Sequence, residues 1–124
     1  MSLETPLHRV QGLGSAHSGV SHFWRQRVTA VALVPLSIWF AYAVLALIGA
    51  PQVEVLTFFQ HPLNAVLMGL FVLVVLVHMT LGLQVVIDDY VYSDGQKLFL
   101  LLLIRGLAWL IGAACILSLL KITI

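Results

Sequence analysis

The sequence predicts an all-α integral membrane protein with three transmembrane helices. Three observations carry that prediction. Hydrophobic residues make up 61% of the chain and charged residues only 9%. Mean hydropathy is +1.08. The apolar residues gather into three runs, each near the ~20 residues that a helix needs to cross a bilayer. A water-soluble domain of 124 residues could not cover its core with so little polar surface.

The chain divides into an N-terminal segment, residues 1–21, and a membrane anchor domain, residues 22–124. The first segment holds Glu4 and Arg9 and no continuous apolar stretch, so it is not expected to be a cleaved signal peptide. Its GLGSAHSG run, Gly12 to Gly19, is small and flexible, and Ser18 or Ser21 is suited to cap a helix beginning near His22. Trp24 with Arg25 and Arg27 has the composition of a headgroup boundary, an amphipathic ring beside two snorkelling cations.

The first span is expected near residues 28–50, with Pro35 inside it as a tolerated kink. Gly49, Pro51 and Pro62 bracket a short connector that carries Phe58 and Phe59. The second span is expected near 63–87 and the third near 98–120, separated by the polar turn DDYVYSDGQK with Asp94-Gly95 at its apex. Arg9, Arg25, Arg27 and Lys97 fall on one side of the membrane and Lys121 on the other. The positive-inside rule therefore puts the N-terminus in the cytoplasm. Gly69, Gly82, Gly106, Gly112 and Ala113 allow close helix approach, so the three helices are expected to form part of a larger bundle.

Composition also excludes functions. The net charge is +1, and no basic stripe interleaved with aromatics appears, so nucleic acid is not a partner. The single cysteine, Cys115, rules out an intrachain disulfide, and its apolar neighbours make it a packing residue. Neither a flavin nor an iron-sulfur cluster motif is present.

Polar chemistry is concentrated in the second span. His78 lies about nine residues, roughly 14 Å, from the helix end at Ile87, close to the bilayer centre. A histidine at that depth is a satisfied bundle residue, a haem ligand, or part of a proton or ion path. Gly82, one turn further on and on the same face, leaves room for a porphyrin plane. His8, His17, His22 and His61 all lie at or outside the boundary, so a second axial ligand would come from another subunit. Asp89 follows His78 by 11 residues, which returns it to within roughly 20° of the same face and about 16 Å nearer the cytoplasm. Tyr90 is the next residue. A tyrosine hydroxyl beside a carboxylate can donate to a quinone carbonyl and relay protons, although a solvated turn with an interfacial tyrosine has the same composition. Arg105, deep in the third span, must snorkel or pair, or else meets a haem propionate or an anionic lipid.

Taken together, His22-Phe23-Trp24-Arg25-Gln26-Arg27-Val28-Thr29-Ala30, then His78, then Asp89-Tyr90, resemble the small hydrophobic membrane anchor subunit of succinate dehydrogenase (respiratory complex II), in the form common in alphaproteobacteria. The likeness runs from GLGSAHSG through Lys97; the third helix adds little beyond hydropathy.

The resemblance implies that His78 is an axial ligand to the iron of a haem b shared with a larger cytochrome b subunit. It further implies that Tyr90 hydrogen-bonds ubiquinone, that Asp89 serves proton supply, and that Arg27 lies near the haem propionates or the quinone. FAD and iron-sulfur clusters would belong to a flavoprotein and an iron-sulfur subunit, and the chain alone would have no activity. The expected location is the bacterial inner membrane, with the mitochondrial inner membrane as the alternative. Many relatives carry a histidine at the position of Tyr92, and Asp88 duplicates the acid, with helical phase favouring Asp89. The competing readings are a fumarate reductase or other cytochrome b anchor, and a haem-free structural membrane subunit.

Overall fold

The computed structural model describes residues 3–124, so Met1 and Ser2 of the predicted N-terminal segment lie outside the described residues. Five helices follow one another: α1 (Pro6–Gln11), α2 (Gly19–Leu47), α3 (Gln52–Gln60), α4 (Pro62–Tyr90) and α5 (Asp94–Thr123). No strand occurs among the described residues. Helices α2, α4 and α5 are each long and apolar enough to span a membrane, as predicted.

The observed helices are longer than the predicted spans for a physical reason. A helix of 29 residues, such as α2 or α4, is about 44 Å long, whereas the hydrocarbon core is only ~30 Å thick. Hydropathy marks the part immersed in hydrocarbon; helical hydrogen bonding continues beyond it at both ends of α4 and α5 and at the start of α2, whereas α2 ends at Leu47, short of the predicted limit at residue 50, because Gly49 turns the chain at φ +74°. Thus α2 starts at Gly19, not near His22, and Ser18 occupies its N-cap position without a side-chain hydrogen bond. Ser21 lies inside the helix. Pro35 does not break α2, although its ring nitrogen leaves the Val31 carbonyl without the usual donor.

Two further helices were not visible as hydropathic runs. In α1, Thr5 Oγ1 accepts from the His8 backbone N–H at 3.1 Å and Pro6 fills the first turn, a capped start. The connector between α2 and α4 is itself helical: Gly49, at φ +74°, turns the chain, and Pro51 precedes α3. Phe58 of α3 packs beside Trp39 of α2 at a centroid distance of 6.5 Å. The Asn64 side chain donates to the Phe58 carbonyl at 3.0 Å, joining α3 to α4.

The predicted turn apex is also corrected. Asp94 and Gly95 form the first turn of α5, and the reversal is confined to residues 91–93. Asp94 there complements the positive helix N-terminus, which explains why a turn-like pair is helical.

Helix α4 is the centre of the arrangement, with α2 and α5 packed on different sides of it. Phe40 of α2 stacks on Phe71 of α4 at 4.4 Å. On the other side, a Cβ at Gly112 of α5 would stand 3.2 Å from Leu76 Cδ1, so glycine permits the approach there. Gly69 faces Ile116 in the same interface, whereas Gly106 faces open space. Among the described residues the buried hydrophobic side chains are only Ala43, Leu81 and Ile87. So thin a core leaves most apolar surface for lipid or other helices.

Candidate functional site

His78 sits near the middle of α4, where α2 crosses it. Its Nδ1 lies 2.9 Å from Thr29 Oγ1 of α2. The same hydroxyl lies 2.7 Å from the Arg25 carbonyl oxygen and 3.1 Å from the Gln26 carbonyl oxygen. A threonine within a helix commonly bonds back to the preceding turn, and here that habit places its oxygen at the interface. The other ring nitrogen of His78 makes no hydrogen bond within the described residues. The imidazole is therefore held at one edge and available at the other.

Gly82 shares the α2-facing side of α4 with His78. A Cβ at Gly82 would have only Gln26 Nε2 near it, at 3.7 Å, an ordinary contact with the end of a flexible side chain. Two buried polar atoms in this region have no hydrogen-bond partner among the described residues: His22 Nε2 and Gln26 Oε1. Buried polar atoms are rarely left so, and each invites an external partner. His22, Gln26 and Thr29 are spaced four and three apart, which puts them on one stripe of α2. That spacing in an otherwise apolar helix was the available signal for Gln26 and Thr29, to which sequence reasoning assigned no role.

Helix α4 continues to Tyr90, so Asp89 and Tyr90 belong to the same helix as His78. Asp88 and Asp89 are distinguished by their partners. Asp88 Oδ1 lies 3.9 Å from Lys97 Nζ, and the same ammonium donates to the Asp88 carbonyl at 3.5 Å. Asp89 makes no ion pair or hydrogen bond within the described residues. Tyr90 is 76% exposed. Its phenol projects from the helix end, free to meet a partner or a small molecule.

Arg27 is not brought to His78. Two residues from Thr29, it is about 200° away around α2, and its guanidinium lies over the Phe23 ring at 4.8 Å. Arg105 Nη2 instead donates to Gln84 Oε1 at 3.4 Å, a long contact that gives the intramembrane charge a polar neighbour. A groove of about 700 Å³ lies between α2, α4 and α5, with His22, Arg25, Gln84 and Arg105 among its polar lining. Neither His78 nor Tyr90 lines that groove.

As a donor set, the site consists of one histidine. Among the described residues no three His, Cys, Asp or Glu side chains gather where they could hold a metal ion. A lone imidazole suits a metal whose remaining ligands come from a macrocycle and another protein, rather than a bare ion.

Residues 1–119 match the succinate dehydrogenase/fumarate reductase transmembrane subunit family. The chain belongs to that family. This transmembrane subunit is 36% identical over 115 residues to the succinate dehydrogenase hydrophobic membrane anchor subunit of Paracoccus denitrificans, covering 93% of this chain and 88% of that one. It is 32% identical over 97 residues to the subunit of the same description from Rickettsia bellii, covering 78% of each. A succinate dehydrogenase membrane anchor subunit from Reclinomonas americana is 27% identical over 94 residues, 73% of this chain and 78% of that one. No solved structure matches. The family match spans every residue of the site, from His22 to Arg105.

Proposed function

We propose that this membrane anchor subunit holds a succinate:ubiquinone oxidoreductase to the bacterial inner membrane, supplies one axial ligand to a haem b, and completes the ubiquinone-reduction site. The observation that carries the reading is His78: mid-span, tethered through Nδ1 to Thr29, with its other nitrogen unpaired and Gly82 one turn away. Those residues fit a haem. The ligand is present, Gly82 carries no side chain one turn away, and His22 Nε2 and Gln26 Oε1 are buried polar atoms in want of partners. A cytochrome b subunit would bring the second histidine. When bound, the haem offers a one-electron carrier beside the path to the quinone.

The chain's own part in quinone reduction falls to the end of α4. Tyr90 lies 12 residues past His78, about 18 Å along the helix. Its hydroxyl donates to a quinone carbonyl oxygen and orients the ring as charge develops there. Asp89, free of the lysine that engages Asp88, takes protons from water and passes them towards that oxygen. Arg27, exposed on the side of α2 away from α4, faces the region where a second subunit would bring propionates or quinone. The excess of Arg and Lys near the α4/α5 turn and the start of α2 puts this end in the cytoplasm. There an iron-sulfur subunit would deliver electrons taken from succinate at a FAD in the flavoprotein subunit.

Fumarate reduction is the same assembly run in reverse. A haem-free subunit is a second reading, because the Thr29 bond already satisfies one nitrogen of His78. A reduced-minus-oxidised spectrum of the purified wild-type complex tests the choice. A b-type haem signal, with flavoprotein and iron-sulfur subunits co-purifying, is expected; a complete complex without that signal would leave only the structural role.

A further inference from the structure

Thr29 lies at a junction of three polar atoms, and their distances decide where its single proton goes. The hydroxyl oxygen is 2.7 Å from the Arg25 carbonyl oxygen, 3.1 Å from the Gln26 carbonyl oxygen and 2.9 Å from His78 Nδ1. A carbonyl oxygen can only accept, and 2.7 Å is a normal O–H···O separation. Were the hydroxyl to donate to His78 instead, two oxygen lone pairs would face each other at 2.7 Å with no proton between them. The proton therefore belongs to the bond with Arg25, and the Thr29 oxygen is left as an acceptor. Its neighbour at 2.9 Å must then be a donor, so His78 carries its proton on Nδ1.

We infer that Thr29 is the positioning residue that fixes His78 in the Nδ1–H tautomer and keeps the Nε2 lone pair free for iron. This rests on the haem-ligand reading of His78 and names the group that prepares the ligand. A neutral imidazole donates through one nitrogen and accepts through the other, so setting the first sets the second. The bond also fixes the ring plane: α2 supplies the acceptor while α4 carries the imidazole, and packing between them holds the pair in register. Donation from Nδ1 makes the imidazole a more electron-rich ligand, which favours the oxidised iron. Among the described residues no other group bonds to the imidazole of His78. The other unpaired polar atoms, His22 Nε2 and Gln26 Oε1, belong to residues nearer the N-terminus of α2, and neither makes a hydrogen bond with His78.

The test compares Thr29→Val, which keeps the shape and removes the acceptor, with Thr29→Ser, which keeps the oxygen. Haem per assembled complex, the redox potential of the haem and its low-temperature electron paramagnetic resonance are measured in the intact complex. Thr29→Val is expected to weaken haem retention about 10- to 100-fold, the usual cost of losing such a partner, and to raise the potential. Thr29→Ser is expected to restore both towards wild type. Equal potentials and resonance in wild type and Thr29→Val would overturn the inference while leaving His78 as ligand, provided His78→Ala still removes the haem signal. A haem signal that survives His78→Ala would instead defeat the underlying ligand reading. Should Thr29→Val not assemble, Thr29→Ala, which removes the same oxygen with a smaller side chain, is read in its place: a raised haem potential and an altered resonance are expected, and values equal to wild type in that complex would overturn the inference.

Discussion

Gly82→Ala separates a haem-packing role from a helix-packing role, because the structure leaves the added methyl no other obstacle. The nearest atom of another residue to the new Cβ is Gln26 Nε2 at 3.7 Å, the far end of a side chain that can turn aside. Within the chain the substitution is therefore free of clash. It also replaces the poorest ordinary helix former with the best, worth up to ~1 kcal/mol in favour of the helix. A porphyrin lying against the same face changes the sign. One methyl forced into an occupied contact costs about 1–3 kcal/mol, which at about 1.4 kcal/mol per tenfold lowers haem affinity roughly 5- to 150-fold. The assay is haem content per assembled complex, titrated by adding haem to membranes depleted of it, with subunit stoichiometry measured in parallel. Full haem occupancy and unchanged affinity in a complete Gly82→Ala complex would refute the placement of the macrocycle beside this glycine.

Three other outcomes follow from the same geometry. Tyr90→Phe removes a single donor worth about 0.5–1.5 kcal/mol, so ubiquinone reduction should fall about 2- to 12-fold at this step while succinate oxidation with a soluble acceptor stays intact; parallel loss of both activities would count against a quinone contact. Asp89→Asn should slow quinone reduction more than Asp88→Asn does, since Asp88 is engaged in a part-exposed pair at 3.9 Å with Lys97 that is worth at most ~1 kcal/mol; steady-state quinone reductase rates of the two variants decide this. Gly112→Leu should lower the thermal stability of the complex by about 1–3 kcal/mol, because its Cβ would already stand 3.2 Å from Leu76 Cδ1, whereas Gly106→Leu, with nothing near it, should leave the melting temperature close to wild type.

Much of the architecture was legible because hydrocarbon imposes a strong and simple rule. Backbone groups in lipid must be satisfied within a helix, so three long apolar runs could only be three helices. What hydropathy cannot report is helix that continues into water or headgroups, which is why α2 begins at Gly19 and α5 at Asp94, outside the predicted limits. The helicity of α1 and α3 rests on local capping and on aromatic packing against α2, neither of which has a hydropathic signature.

At the site, periodicity along one helix was sufficient to align His78, Gly82 and Asp89, and α4 is continuous through Tyr90. Relations between helices were less accessible. The partner of His78 depended on how α2 crosses α4, and the choice between Thr29 and any other hydroxyl is a matter of crossing position rather than spacing. Likewise the pairing of Asp88 with Lys97 arises from the tight return at residues 91–93, which brings the two helix ends together. Arg27 illustrates the limit from the other direction. Its charge and depth suited the site, but its rotation around α2 points it away from His78, towards a surface that another subunit would have to cover.

The central claim is that His78 supplies an axial ligand to haem iron, and a reduced-minus-oxidised spectrum of the purified His78→Ala complex tests it most directly. With flavoprotein, iron-sulfur and both membrane subunits present in wild-type ratio, the b-type haem bands should be lost or replaced by those of an altered ligand set. Bands unchanged in position and intensity in that complete complex would contradict it.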